Sequence, residues 1–234
     1  MDSTLTPVLA FVIVAGITFL IYRSVHTSLQ FLRGLLRGSV SAPWDLYTFL
    51  TSAPSGLREN QRYLFTEQWV NSRRYSFCGR FDYAVMQYRE VRTLDAVIER
   101  KFPVGPLPTR ATPEDTFQAG LYSLALMDSG VSCKSARLLI IYCSQRNASR
   151  CGRSKAPDCL SCTKPRVFLK RFKPDEITQT LQRLDEVWNG VRSPRPYPGR
   201  SKCSGCPFGE SGQCKYSISQ QKTHLGLRFH LFHA

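Results

Sequence analysis

Acidic residues are scarce in this chain. Asp and Glu total 17 against 32 Lys and Arg, a net charge of +15 over 234 residues. That imbalance disfavours a cationic partner and favours a polyanion, meaning nucleic acid or an anionic membrane surface. Charge is missing altogether from Leu5 to Tyr22, and Asp2 is the only charged side chain ahead of that run. At about 1.5 Å per residue the run comes close to the roughly 30 Å hydrocarbon core of a bilayer, so a transmembrane helix is expected. A cleaved signal peptide would want a basic start, a shorter apolar run and a small-x-small site, and none is clear. A buried core helix is the remaining rival. Arg23, Arg33 and Arg37 follow, which puts the N-terminus outside and the bulk of the chain in the cytoplasm. No long repeat is present. The cysteines number 9, an odd count, and none precedes Cys78. In a cytoplasmic protein, closely spaced cysteines point to metal rather than to disulfides. In an exported protein the same residues would form disulfides, and the Asn147-Ala148-Ser149 sequon would matter.

What is present reads as alternating elements. Residues 1–24 are the expected anchor, and 25–56 a juxtamembrane basic segment and linker. Leu29, Leu32, Leu35 and Leu36 give that segment an apolar face able to lie on the inner leaflet. A core of 57–192 follows, with a Cys-rich insertion at 144–165, and 193–234 is a Cys-rich C-terminal segment. Leu57–Arg74 reads as a helix. Tyr75–Gln87 and Thr93–Phe102 read as a hairpin of two strands. Thr112, Pro113 and Asp115 announce a helix start, and Gly130 its end. Ala136–Cys143 and Val167–Leu169 read as strands, and Pro174–Asn189 as a helix. Ser193–Gly199 is a Pro-rich connection.

The polar residues of chemical interest fall in a fixed order. Asp82 follows Gly79 at the spacing Gly-x-x-Asp. Glu99 and Lys101 lie on one face of a strand, because side chains alternate. Gln118 and Tyr122 lie one helical turn apart. Phosphodiester hydrolysis needs a cation to neutralise charge and acidify a water. Hard Mg²⁺ or Mn²⁺ wants oxygen ligands, which Asp82 and Glu99 supply. Lys101 can orient the water or stabilise developing negative charge. Gln118 can hydrogen-bond a phosphate, a ligating carboxylate or the lysine, with Tyr122 bracing it.

The pattern Gly79-x-x-Asp82, Glu99-x-Lys101, Gln118-x-x-x-Tyr122 resembles the PD-(D/E)XK nuclease superfamily, and is most similar to its RecB-like branch, including CRISPR-associated exonucleases. The terminal Cys203-x-x-Cys206 and Cys214, after Trp188-Asn189-Gly190 and the Pro-rich connection, resemble that branch's iron–sulfur segment. The resemblance spans about residues 57–216. It implies an α/β, restriction-endonuclease-like core with a central mixed sheet flanked by helices. It implies Asp82 and Glu99 as metal ligands, Lys101 as the catalytic lysine, and Gln118 and Tyr122 as its supporting motif. A further acid on the first helix would be Glu67, with Glu59 behind it. Two positions depart from the pattern. Arg100 stands where an apolar residue is usual, which implies a strand more exposed or tilted toward DNA. No early cysteine supplies the fourth cluster ligand.

Thiolates at Cys-x-x-Cys spacing hold either zinc or an iron–sulfur cluster. Cys203, Cys206 and Cys214 supply three. The fourth comes from Cys151, Cys159 or Cys162, with Cys162 the candidate carried forward. Alternatively the insertion forms a metal site of its own. Cys133 and Cys143 read as small buried hydrophobes. The expectation is a membrane-anchored, Mg²⁺- or Mn²⁺-dependent DNA nuclease, acting on single strands or ends, with an iron–sulfur cluster and DNA-processing protein partners. The alternative is a catalytically inactive DNA-binding protein with a zinc site that tethers DNA to the membrane.

Overall fold

The computed structural model describes residues 13–16, 28–151, 162, 164–193, 198–203 and 205–218. The anchor reading of Leu5–Tyr22 lies largely outside them, as do Cys159 and residues 194–197. Among the described residues no helix is long and apolar enough to cross a membrane. The chain divides into two units, one ending at Leu181 and one beginning at Gln182.

The first unit is an α/β fold around a six-stranded mixed sheet in sequential order. β1 (Ser39–Ser41) runs parallel to β2 (Arg62–Ser72). β3 (Phe77–Arg89) is antiparallel to both β2 and β4 (Val91–Lys101). β4 is parallel to β5 (Arg137–Tyr142), and β6 (Arg166–Arg171) closes the far edge antiparallel. The parallel β4–β5 pair needs a crossover, which contains α3 (Pro113–Asp128).

Both faces of the central strands are covered, so β4 and β5 read as near-continuous apolar runs. Val97, Leu138 and Ile140 share one core with Phe65 and Phe81, with Leu124 and Leu126 of α3, and with Phe49 of α2 (Leu46–Thr51). Ile98, Leu139 and Ile141 face the other way, into a second core with Val85. Leu32 and Leu35 of helix α1 (28–37) belong to that second core, at 1% and 5% exposure. The apolar face expected to rest on the inner leaflet is therefore committed to the sheet. Fully burying each such leucine is worth roughly 1.5–3 kcal/mol.

α3 starts as its sequence announces. Thr112 caps it, its Oγ1 accepting the Asp115 N–H at 3.1 Å, with Pro113 in the first turn and Glu114 and Asp115 facing the helix dipole. Gly130, at φ 87°, takes the left-handed position that ends it. Gly120 lets α3 meet α5 (Pro174–Trp188) closely, since a Cβ there would lie 2.4 Å from Ile177 Cδ1.

Two expectations are corrected. The 57–74 region is no helix: Tyr63 and Phe65 bury one face of strand β2 at period two, and Val70 and Ser72 do the same further on. The linker near residue 40 contains β1, which extends the sheet by pairing Val40 with Tyr63. The insertion opens with α4 (Gln145–Cys151). In the second unit, α6 (Arg200–Cys203) and α7 (Pro207–Glu210) are single turns.

Candidate active site

The end of β4 carries the site. Period-two alternation puts Glu99 and Lys101 on the α3 side, with Val97, while Ile98 takes the opposite core. Glu99 is 5% exposed. Its Oε1 lies 2.9 Å from Lys101 Nζ, whereas its Oε2 is buried with no hydrogen-bond partner. A buried carboxylate oxygen left unpaired costs free energy, of the order of 1–3 kcal/mol or more when charged. Burial pushes the Glu99 carboxyl above the usual glutamate range. The Lys101 contact pulls it down, and the nearby charges of Asp82 and Asp115 push it up.

Lys101 behaves differently. Burial alone would lower its ammonium, but the hydrogen bond to Glu99 and the surrounding Glu99, Asp115 and Tyr122 hold it above the ordinary lysine value. It therefore stays a cationic donor at neutral pH rather than a base. Its Nζ also donates to Gln118 Oε1 at 2.7 Å. Gln118 Nε2 in turn donates to Tyr122 Oη at 2.8 Å. Burial raises the Tyr122 phenol, so it too stays protonated. The expected pairing of Gln118 and Tyr122 as a brace thus has a physical form: a chain from the helix to the lysine.

Sequence reasoning gave Asp115 only a capping role. Its Oδ1 lies 3.6 Å from Lys101 Nζ. Its Oδ2 accepts a hydrogen bond from Thr112 Oγ1 at 2.6 Å and another from Tyr142 Oη. Asp115, Gln118 and Tyr122 stand at i, i+3 and i+7, one face of a helix, and that spacing was legible. Replacing Asp115 by Asn is expected to lower the proton affinity of both Lys101 and Glu99. The acid limb of any Lys101-dependent activity then moves to lower pH and the rate falls about tenfold, which a pH–rate profile checks.

Gly79 explains the spacing Gly79-x-x-Asp82. A Cβ there would lie 2.7 Å from Tyr122 Cε1, so the tyrosine ring rests directly on the β3 backbone. Three residues on, Asp82 lies just past Tyr83–Ile98, the last pair of the β3–β4 ladder, whose register shifts once between Val85 and Met86. Asp82 Oδ2 there accepts the Arg100 backbone N–H at 2.6 Å, and its Oδ1 lies 3.5 Å from Arg100 Nη2.

Arg100 is not the solvent-displayed residue its position suggested. Its guanidinium lies 4.6 Å from the Tyr83 ring centroid and 3.2 Å from Glu67 Oε1. Glu67 also meets Arg80 at 3.2 Å. Glu67 is on strand β2 at φ 52°, not on a first helix, and Glu59 only bridges to Tyr88 ahead of β2. Left-handed backbone at a non-glycine costs of the order of 1–3 kcal/mol, and here it accompanies a carboxylate that joins two arginines.

The cysteines divide between the units. In the first unit burial pushes the Cys133 thiol up to about 12. Cys143, Cys151 and Cys162 line one small apolar cavity with Phe102 and Ile141. In the second unit Cys206 N–H donates to the Cys203 carbonyl at 3.3 Å, and Cys214 N–H to that of Phe208 at 2.9 Å. Gly209 is needed there, since a Cβ would lie 2.7 Å from the Cys203 carbonyl. Hydrogen bonding from the Ile218 backbone, helped by Gly199 and Ser217, holds the Cys203 thiol below its ordinary range. Among the described residues no group of three or more His, Cys, Asp or Glu side chains is arranged to hold a metal ion.

No protein-family model matches the chain, and no curated protein matches it. The chemistry of the site therefore rests on its own residues.

Proposed function

We propose that this chain is a metal-dependent deoxyribonuclease of the PD-(D/E)XK kind, held at the membrane by the uncharged run Leu5–Tyr22 with its nuclease domain in the cytoplasm. The observation that carries the reading is Glu99: a buried carboxylate with one unpaired oxygen, 2.9 Å from a lysine that Gln118 and Tyr122 hold in place. Asp82, Glu99 and Asp115 outnumber the two cations beside them, Lys101 and Arg100, by one, which suits a divalent cation with oxygen ligands. Glu99 and Asp82 would hold it. The contacts of Asp82 with Arg100 leave lone pairs unused, because a carboxylate offers about four acceptor sites. A bound Mg²⁺ or Mn²⁺ would neutralise phosphate charge and acidify a water.

The protein's own contribution follows from the proton positions. Lys101 keeps its proton at Nζ and donates toward the attacking water or a phosphate oxygen, where negative charge grows. Gln118 fixes the direction of that donor, and Tyr122 fixes Gln118. The +15 charge favours a polyanionic substrate. The full chain in detergent is expected to degrade single-stranded DNA with Mg²⁺ or Mn²⁺. Unchanged cleavage by Lys101→Ala would remove the lysine from the mechanism.

One observation favours a second reading, an inactive DNA-binding protein: both Asp82 oxygens face Arg100. Tight DNA binding without cleavage under any divalent cation supports that reading instead.

The Cys203, Cys206 and Cys214 segment is proposed to supply three ligands of a metal centre, an iron–sulfur cluster ahead of zinc. The lowered Cys203 thiol suits a thiolate ligand. Anaerobically purified protein is expected to contain iron and absorb near about 400 nm, and to lose both in Cys206→Ser. Colourless protein with stoichiometric zinc rejects the cluster.

A further inference from the structure

The β2–β3 hairpin supplies Gly79 beneath Tyr122 and the Arg80–Glu67 pair, but its outer surface takes no part in the chemistry above. From Trp69 to Arg80 it holds three arginines and no acid. Trp69 and Arg80 are cross-strand partners, and Asn71 pairs with Cys78. All four are exposed, as are Arg73 and Arg74 in the turn. Trp69 is 68% exposed, an uncommon state for so large an apolar side chain. Tyr47 of α2 is 75% exposed, and the two aromatics line one cleft of about 290 Å³ with Asn71 on its wall.

Packing does not explain this surface. The cores are complete without Trp69 and Tyr47. The tip is held by other groups: Asp128 Oδ2 accepts from Ser72 Oγ at 2.8 Å and from the Arg74 N–H at 3.4 Å. That carboxylate is thereby engaged with the hairpin itself. The α2 end is positioned by the Leu46 N–H, which donates to Gln68 Oε1 at 3.2 Å. Rigid strands and a short capped helix thus present two aromatics beside a row of cations.

We propose that Trp69 and Tyr47 form a stacking site for an unpaired nucleobase, with Arg73 and Arg74 following the sugar–phosphate backbone and Arg80, which is held by Glu67 at 3.2 Å, marking the side nearer the site. Base stacking on an aromatic is tolerant of sequence, and a bordering cationic row supplies the electrostatic part of single-strand binding. Duplex DNA hides its base faces and cannot use the cleft. The direction also fits. Arg80 and Asp82 are two residues apart on β3, about 7 Å, so a strand bound at Trp69 reaches the site within one or two nucleotide steps. The inference deepens the nuclease reading by giving it a preference for single strands, and it rests on that reading for the direction of the strand alone.

The test is binding of a fluorescent twelve-nucleotide oligo(dT) to the full chain in EDTA, where no cleavage occurs, with the matching duplex as comparator. Trp69→Leu is expected to weaken single-strand binding about tenfold and leave duplex binding within twofold. Trp69→Phe, which keeps an aromatic face, should stay within about threefold of wild type. Both substitutions are at an exposed position, and circular dichroism verifies folding. Equal affinity in wild type and Trp69→Leu overturns the stacking site and leaves the face to a protein partner. No oligo(dT) binding by wild type overturns it as well. Loss of binding in Trp69→Leu in a protein that never cleaves DNA keeps the stacking site and rejects the nuclease reading. Cleavage with no Trp69 dependence of binding does the reverse.

Discussion

Glu99→Gln is expected to reduce Mg²⁺- or Mn²⁺-dependent DNA cleavage by about 10²–10³-fold while making the metal-free protein more stable at neutral pH. The two effects have one cause. Burial, and the nearby Asp82 and Asp115, raise the Glu99 carboxyl despite the Lys101 contact. Folding therefore favours the protonated form, and ionised Glu99 works against it. The sign follows from linkage. The folded pKa lies above the unfolded one, so stability is highest below the unfolded value. It declines as pH rises from there through the folded value. Gln mimics the protonated state at every pH. Wild type and Glu99→Gln should thus melt together in acid and diverge toward neutrality, with the variant higher. At sub-saturating metal, cleavage should show an acid limb above the usual glutamate range, because the ligand must be ionised to bind metal and metal binding displaces the proton. Thermal melts and a pH–rate profile check both halves. A variant less stable than wild type at pH 7 would contradict the assignment of Glu99 as a buried carboxylate with one unpaired oxygen.

Gly79→Ala is the second large effect, at a residue that does no chemistry. Its new Cβ would lie 2.7 Å from Tyr122 Cε1, and the ring has little room because Tyr122 is 8% exposed. Relief requires the ring to shift, at a cost of about 1–3 kcal/mol in stability. The same shift disturbs Tyr122 Oη, Gln118 and finally Lys101, so cleavage falls as well, by up to about 10²-fold. Gly79→Ala combined with Tyr122→Phe separates the two. Phe keeps the ring and the clash but removes the hydroxyl. The double variant should retain the stability loss, with little further loss of activity from adding Gly79→Ala. Wild-type stability and cleavage in Gly79→Ala would show that Tyr122 is not held where the geometry puts it.

Strong local chemistry made parts of this fold readable. α3 begins at Thr112-Pro113 and stops at Gly130 because its cap, fixed φ and left-handed terminator are local. The β3–β4 hairpin was visible in two apolar runs around a polar turn. β2 was misread because Trp69 and Val70 are adjacent apolar residues within a strand of alternating burial. A helical period could be fitted to them, and only pairing with β3 decides the matter. α1 looked like a membrane-surface helix because amphipathicity does not say what covers the apolar face. Leu32 and Leu35 are claimed by sheet residues far along the chain. A chain shortened to begin after residue 40 would lose that cover.

The site divides in the same way. Glu99, Lys101, Gln118 and Tyr122 do come together, because strand alternation and helical spacing aim them. Asp115 was hidden by its second job as a cap residue. Arg100 was misjudged because its partners, Glu67, Asp82 and Tyr83, lie on two other strands. Long-range ion pairs leave no local signal.

The claim on which the reading depends is that the unpaired oxygen of Glu99 takes a divalent cation. Titration of the full chain with Mn²⁺, with free ion followed by electron paramagnetic resonance, measures this without reference to any substrate. Wild type should bind Mn²⁺ at neutral pH and release it as the pH falls, and Glu99→Gln should lose that site. Equal Mn²⁺ binding by wild type and Glu99→Gln, or no binding by wild type at any pH, would contradict it.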